Sequence, residues 1–196
     1  IGAYSIGAAG IGAIKIFSVE PGPLYDRMKN NISLNSLEAI ITPIKLGLSS
    51  KPGKMRWYED LNNPGNAHLV ISKDSLSFEK IPTQFGDSFV EVEVITLDRL
   101  VEMYDIKNID LIKIDVEGME WEVLSSGKKC LPVIVAETHR VASDMMRYDC
   151  MTPLFGYLYS LGYESYSFKN GHFTKFIYPN FDLDTFFIPK GFHALT

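Results

Sequence analysis

Hydrophobic and polar positions along the chain switch repeatedly between a strand-like and a helix-like period. "AIKIFSVE" (13–20) is a β-rich apolar run that stops at an acid, and "PLYDRMKNNISLNSL" (23–37) spaces Leu24, Met28, Ile32 and Leu37 near helical intervals. "AIITPIKLGLS" (39–49) predicts a strand, which Pro43 makes irregular or edge-facing. "VEVEVITL" (90–97) alternates cleanly, and "DRLVEMYD" (98–105) predicts a short helix with Asp98 placed to cap it. "IDLIKIDVEG" (109–118) is almost continuously apolar until it reaches its acids, the pattern of a strand buried on both faces. "MEWEVLSSG" (119–127) then predicts a helix closed by Gly127, and "LPVIVAETH" (131–139) a strand with a polar exit. "TPLFGYLYSLG" (152–162) is helical, and "YESYSF" (163–168) and "LDTFFIP" (183–189) are closing strands.

Between 50 and 90 the pattern breaks into short runs around four turn signals (PG, NPG, IP, FGD), which predicts an antiparallel excursion or a loop-rich insertion. Asn62, Asn63 and Asn66 in "NNPGN" suit turns, or the lining of an acceptor site. Elsewhere, strands alternating with helices predict an α/β domain with a mainly parallel sheet, spanning 1–196 as one unit. Such sheets bind ligands beyond the carboxyl ends of their strands. Three predicted strands end there in functional groups: Glu20, Asp115 with Glu117, and Glu137 with His139.

The glycines of "IGAYSIGAAGIGAIKIFSVEP" are separable by spacing. A phosphate- or ribose-binding α/β unit needs a glycine turn, a helix and a strand before the acid that meets the ribose. Gly12 lies only eight residues before Glu20, too near to fit these, whereas Gly2 lies 18 before it and leaves room for a short helix and the strand. Gly2 is therefore the ligand-facing glycine, while Gly7, Gly10 and Gly12 serve helix packing and exit. A rival register, with "FSVEPGP" itself as the glycine loop, is disfavoured because Pro21 and Pro23 remove two amide donors.

Composition narrows the function classes. With 46% hydrophobic residues and 22% charged, the 196-residue chain is globular in character, and no apolar run is long enough to span a membrane. A net charge of −5 with scattered basic residues argues against nucleic-acid binding. Cys130 and Cys150 form no CxxC and read as two buried thiols, which suits a reducing, cytoplasmic setting.

Four segments resemble the FkbM-type family of S-adenosylmethionine-dependent methyltransferases: "IGAYSIGAAG", "VEPGPLYDRMKNNISLN", "VEVITLDRLVE" and, most specifically, "IDLIKIDVEGMEWEVLSSG". The resemblance implies a Rossmann-like class I methyltransferase sheet with helices on both faces. It also implies that the central first strand and most of the glycine loop lie outside this sequence, between the strands that end at Glu20 and Asp115. It implies S-adenosyl-L-methionine as cofactor, held by Gly2, Glu20, Pro21, Leu48 (within a Leu46–Ser49 adenine-flanking segment) and Asp115. The acceptor would be a small-molecule or sugar hydroxyl.

Asp115, Glu117 and His139 are the candidate catalytic groups. Asp115 and Glu117 have a competing role as caps of the following helix, and Glu120 suits its first turn through the helix dipole. The unperturbed pKa of His139, roughly 6.5, suits proton removal near neutrality. A divalent metal on Asp115, Glu117 and Glu137 is conceivable, but spacing alone does not support it, and no metal is expected. Two alternatives stay open: a non-catalytic domain that keeps the fold without the cofactor, and a nicotinamide-dependent oxidoreductase, in which Asp-x-Glu-Gly has no role.

Overall fold

The computed structural model describes residues 1–58, 68–70, 89–116, 118–128, 132–138, 151–180 and 184–192. Chain order begins with helix α1 (Ala3–Gly10), strand β1 (Ile16–Val19), helix α2 (Leu24–Leu34) and strands β2 (Ile41–Ile44) and β3 (Gly47–Leu48). Strands β4 (Gly53–Tyr58), β5 (His68–Val70) and β6 (Val90–Ile95) follow, then helix α3 (Leu97–Met103) and strand β7 (Leu111–Ile114). Helix α4 (Glu120–Ser125), strand β8 (Val133–Glu137), helix α5 (Met151–Ser160) and strands β9 (Tyr163–Lys169), β10 (His172–Phe176) and β11 (Asp184–Pro189) complete it.

These strands form three hydrogen-bonded sets. The first is the parallel pair β1–β2; the second runs β10-β9-β11-β8-β7; the third is a side sheet, β3-β6-β4-β5. The expectation of a mainly parallel sheet is corrected: among the described residues only β1–β2, β3–β6 and β7–β8 are parallel. Both flanks carry antiparallel pairs: β9 turns back into β10 through Asn170 and Gly171, β11 runs antiparallel to both β9 and β8, and β4 runs antiparallel to β6. The 50–90 region accordingly carries antiparallel β4 and β5, with 59–67 and 71–88 outside the described residues.

Among the described residues β1 pairs only with β2, and β7 only with β8, so both strands keep one unpaired edge. Helix α1 packs on β1 and β2 and touches β7 through one side chain. Ser5 Oγ lies 2.9 Å from Ser18 Oγ on β1, while the neighbouring Tyr4 ring sits 4.9 Å from Lys113 Nζ on β7.

Helix α2 buries the face its spacing predicts. Leu24, Met28 and Ile32 recur every fourth residue of α2, are all buried, and set Met28 and Ile32 against Ile41 beneath β1 and β2. On the other flank, Leu154, Phe155 and Leu158 of α5 and Val123 and Leu124 of α4 pack onto Ile114, Ile134, Ala136 and Phe187.

Local end signals differ from the sequence expectation at three places. The cap of α3 is Thr96, whose Oγ1 accepts from the Arg99 amide at 3.1 Å. Asp98, one turn position inside, instead accepts from the Lys128 amide at 3.0 Å. Helix α4 closes at Ser126, not Gly127; a Cβ on Gly127 would lie 2.5 Å from Leu97 Cδ2, so that glycine serves close packing. Gly12 has φ +106° and makes the exit from α1, but a Cβ on Gly7 or Gly10 would meet nothing within 4 Å. Close approach of α1 to the sheet therefore rests on Ser5, Ile6 and Ala9 and not on those two glycines.

Candidate functional site

Glu20 follows β1, and its placement comes from backbone pairing: its amide donates to the Ile44 carbonyl at 3.0 Å, extending the parallel ladder by one residue. The chain then turns through Pro21, and the Gly22 amide donates back to Glu20 Oε1 at 2.9 Å. Oε2 takes no hydrogen bond from the described residues. Burial pushes the Glu20 carboxyl above its usual value, with the Gly22 amide pulling partly the other way. Half-buried, bonded on one oxygen and open on the other, this carboxylate has the donor-accepting character that vicinal hydroxyls need.

The neighbouring strand exits supply a second polar group. Ile114 pairs with Ala136, and both are buried against α4 and α5, so alternation turns Asp115 and Glu137 to the opposite face. Glu137 is in turn paired with Asp184, whose Oδ1 accepts from Lys113 Nζ at 2.8 Å. Asp115 is exposed and makes no hydrogen bond to the described residues. It does not cap α4, whose N-terminal residue Met119 gives no side-chain cap either.

Glu120 takes that structural role instead. Its side chain is 1% exposed, and Oε1 accepts from the amides of Gly118 (3.2 Å) and Val116 (3.3 Å), tying the turn after Asp115 into shape. Gly118, at φ +97°, gives that turn the left-handed conformation it needs. Glu117 and His139 lie outside the described residues, as do Cys130, Cys150, Asn62, Asn63 and Asn66.

Gly2 stands at the start of α1 in the left-handed region, φ +79°, with its carbonyl accepting from Ile6 at 2.9 Å. A Cβ there would meet Met28 Cγ at 3.4 Å, an ordinary contact, so the positive φ and not the space favours glycine. Leu48 sits in β3 opposite Ile95, and its side chain packs against the α4–α5 core cluster. Buried Ser49 follows it, its amide donating to the Ile95 carbonyl at 2.9 Å. Glu20 and Pro21 thus stand at the first strand exit, Gly2 lies against Met28 of α2, and Asp115 and Glu137 stand at the second exit.

Several participants escaped the sequence reading. Lys113, mid-strand in an apolar run, was detectable as the odd cation in "LIKI". Thr138, fully buried, places its Oγ1 2.5 Å from Thr185 Oγ1 just past β8 and carried no sequence signal. Trp57 touches residues far away in sequence. Among the described residues no three His, Cys, Asp or Glu side chains gather as a metal site would require, and no helix is long and apolar enough to cross a membrane.

These features define an α/β protein with polar side chains at the carboxyl ends of parallel strands. The model of the methyltransferase FkbM domain matches residues 4–165, and the chain belongs to that family of methyltransferases. It is 32% identical over 129 residues to methyltransferase sdnD of Sordaria araneosa, covering 56% of this chain and 50% of that protein. It is also 26% identical over 128 residues to hexuronic acid methyltransferase AglP of Haloferax volcanii, covering 63% of this chain and 47% of that protein. The chain spans about half the length of these curated relatives. No solved structure matches it.

Proposed function

We propose that the protein transfers a methyl group from S-adenosyl-L-methionine to an oxygen of a small-molecule or sugar acceptor. The observation that carries this reading is Glu20: a half-buried carboxylate at a parallel strand's end, anchored by the Gly22 amide on one oxygen and open on the other. The donor supplies an electrophilic methyl on a sulfonium, and the chain's task is to hold it in line with the acceptor oxygen. Glu20 accepts hydrogen bonds from the ribose hydroxyls, with Pro21 fixing the exit of the loop. Gly2 gives the backbone room beside the donor, and Leu48 borders the adenine. Asp115, exposed beside Glu137, faces the reacting end.

A hydroxyl acceptor must lose a proton as it attacks, and Asp115, Glu117 and His139 are the groups at strand exits able to take it. A carboxylate acceptor needs no base. That second reading, methyl esterification of a sugar acid, is favoured by the activity that AglP is named for, hexuronic acid methylation.

A Rossmann-like sheet would be completed by one further parallel strand between β1 and β7. Support comes from the two unpaired edges and from α1, whose adjacent Tyr4 and Ser5 reach one edge each. The test is calorimetric titration of the full-length polypeptide with S-adenosylhomocysteine and, separately, NAD. Binding of the first alone supports the proposal. Binding of NAD alone would make the protein an oxidoreductase, and heat with neither would leave a non-catalytic domain.

A further inference from the structure

The side sheet is joined to both strand exits through one indole. Trp57 of β4 is 4% exposed and shares an apolar cluster with Leu24, at the start of α2, and with Met119, in the turn after Asp115. Its ring also lies directly on the loop that shapes Glu20. A Cβ on Gly22 would fall 2.4 Å from Trp57 Cε2 and 2.6 Å from Cζ2, well inside contact distance. Gly22 is buried, and its φ is not in the left-handed region, so a glycine is required there by the indole and not by backbone conformation. The same residue's amide is the one that donates to Glu20 Oε1.

We propose that Trp57 is a positioning residue for the methyl donor. Its indole clamps Gly22 so that the Gly22 amide holds the Glu20 carboxylate in its ribose-accepting orientation. Through Met119 the same ring couples that orientation to the turn carrying Asp115. This inference rests on the reading of Glu20 given above. A side chain that only filled the cluster would leave Glu20 indifferent to its identity. A clamp makes the two residues energetically dependent on each other, although 37 positions separate them in sequence.

A double-mutant cycle on the full-length polypeptide tests this, using Trp57→Leu and Glu20→Gln, with S-adenosylhomocysteine affinity read by calorimetry and folding by thermal melting. Trp57→Leu keeps apolar volume but removes the ring from Gly22, and should weaken affinity roughly tenfold, as a misplaced binding group does. Glu20→Gln should then cost several-fold less in the Trp57→Leu background than in the native one. Equal factors in both backgrounds, with Glu20→Gln clearly weakening binding alone, would overturn the clamp while leaving the ribose role of Glu20 intact. An unaffected Glu20→Gln would instead sink the ribose role, and the clamp with it. If Trp57→Leu does not fold, Trp57→Phe takes its place in the cycle. A spectroscopic arm is independent of stability: these 196 residues hold two tryptophans, so the difference in emission between Trp121→Phe and a Trp57→Phe, Trp121→Phe double variant isolates the Trp57 indole. Its emission should shift on saturation with S-adenosylhomocysteine, and an unchanged spectrum with binding intact would also overturn the proposal.

Discussion

Replacing Glu20 by alanine removes a carboxylate that has one oxygen occupied internally and one left for ligand. Because Oε1 already accepts the Gly22 amide, the ligand's share is one or two charge-assisted hydrogen bonds made mainly through Oε2. Their loss should cost about 1–3 kcal/mol of binding, or roughly 5- to 150-fold in the Kd for S-adenosylhomocysteine. Glu20→Gln keeps an oxygen for Gly22 but no charge, and should fall at the lower end. The pH dependence has a definite sign. Burial raises the Glu20 pKa above 4.5, so acidification protonates the acceptor before an ordinary glutamate would titrate, and affinity should fall from above that pH downward. Glu20→Gln should be flat across the same window. Stability runs the opposite way: with a raised folded pKa, this group's contribution is full below pH 4.5 and is lost as pH rises through the folded value. The glutamine variant should therefore melt higher than the native protein at neutral pH while binding more weakly. A folded Glu20→Ala protein with unchanged affinity, or a pH-independent native Kd beside a pH-independent variant, would refute the reasoning.

Three further outcomes test the architecture. Phe155→Ala should destabilise by ~3–5 kcal/mol in urea denaturation, since the ring is 1% exposed and lies 4.8 Å from Tyr178 and 4.9 Å from Phe187; a loss below about 1 kcal/mol would contradict that packing. Thr96→Ala should cost about 1 kcal/mol by removing the cap on the Arg99 amide, whereas Thr96→Ser should cost little, as read from the same transitions. Glu122, raised in pKa by burial and secondarily by Glu120, has an Oε2 sealed from water without a hydrogen bond to the described residues. Glu122→Gln should raise the melting temperature at neutral pH, and the gain should vanish below pH 4.5, where the native carboxyl is protonated in both states.

What could be read in the sequence was what repeats locally. Leu24, Met28 and Ile32 announce the buried face of α2, and the apolar run into Asp115 announces β7, because burial leaves a periodic trace in residue type. The spacing argument correctly put a short helix and a strand between Gly2 and Glu20. It misjudged Gly7 and Gly10, since small residues in a helix mark close packing only when something lies over them. Strand β10 was missed because "HFTKF" is exposed at all but its last residue, partly buried Phe176, so no apolar alternation marks it. Asp98 suits a cap by residue type, but so does Thr96, and only the backbone decides which of them stands at the helix start. Trp57 on Gly22, Lys113 on Asp184 and Glu120 on the Gly118 amide are contacts whose partners are fixed by tertiary packing or a specific turn, and residue spacing carries no record of them.

Pro43 gives β2 a property that bears on how the chain behaves in concentrated solution. The carbonyls of Ile40 and Ile44 accept from β1, so by alternation the backbone of Pro43 faces away from β1, toward the outer rim. A proline there sacrifices no ladder bond and deletes an N–H that a stray strand would otherwise engage. At the edge of the five-stranded sheet, β10 presents exposed His172 and Lys175, which disfavour apolar strand docking. The inner edges of β1 and β7 carry no such guard, and Leu111 on β7 is 56% exposed. Aggregation of this polypeptide, where it occurs, should therefore start at the edges of β1 and β7 that are unpaired among the described residues rather than at Pro43 or β10.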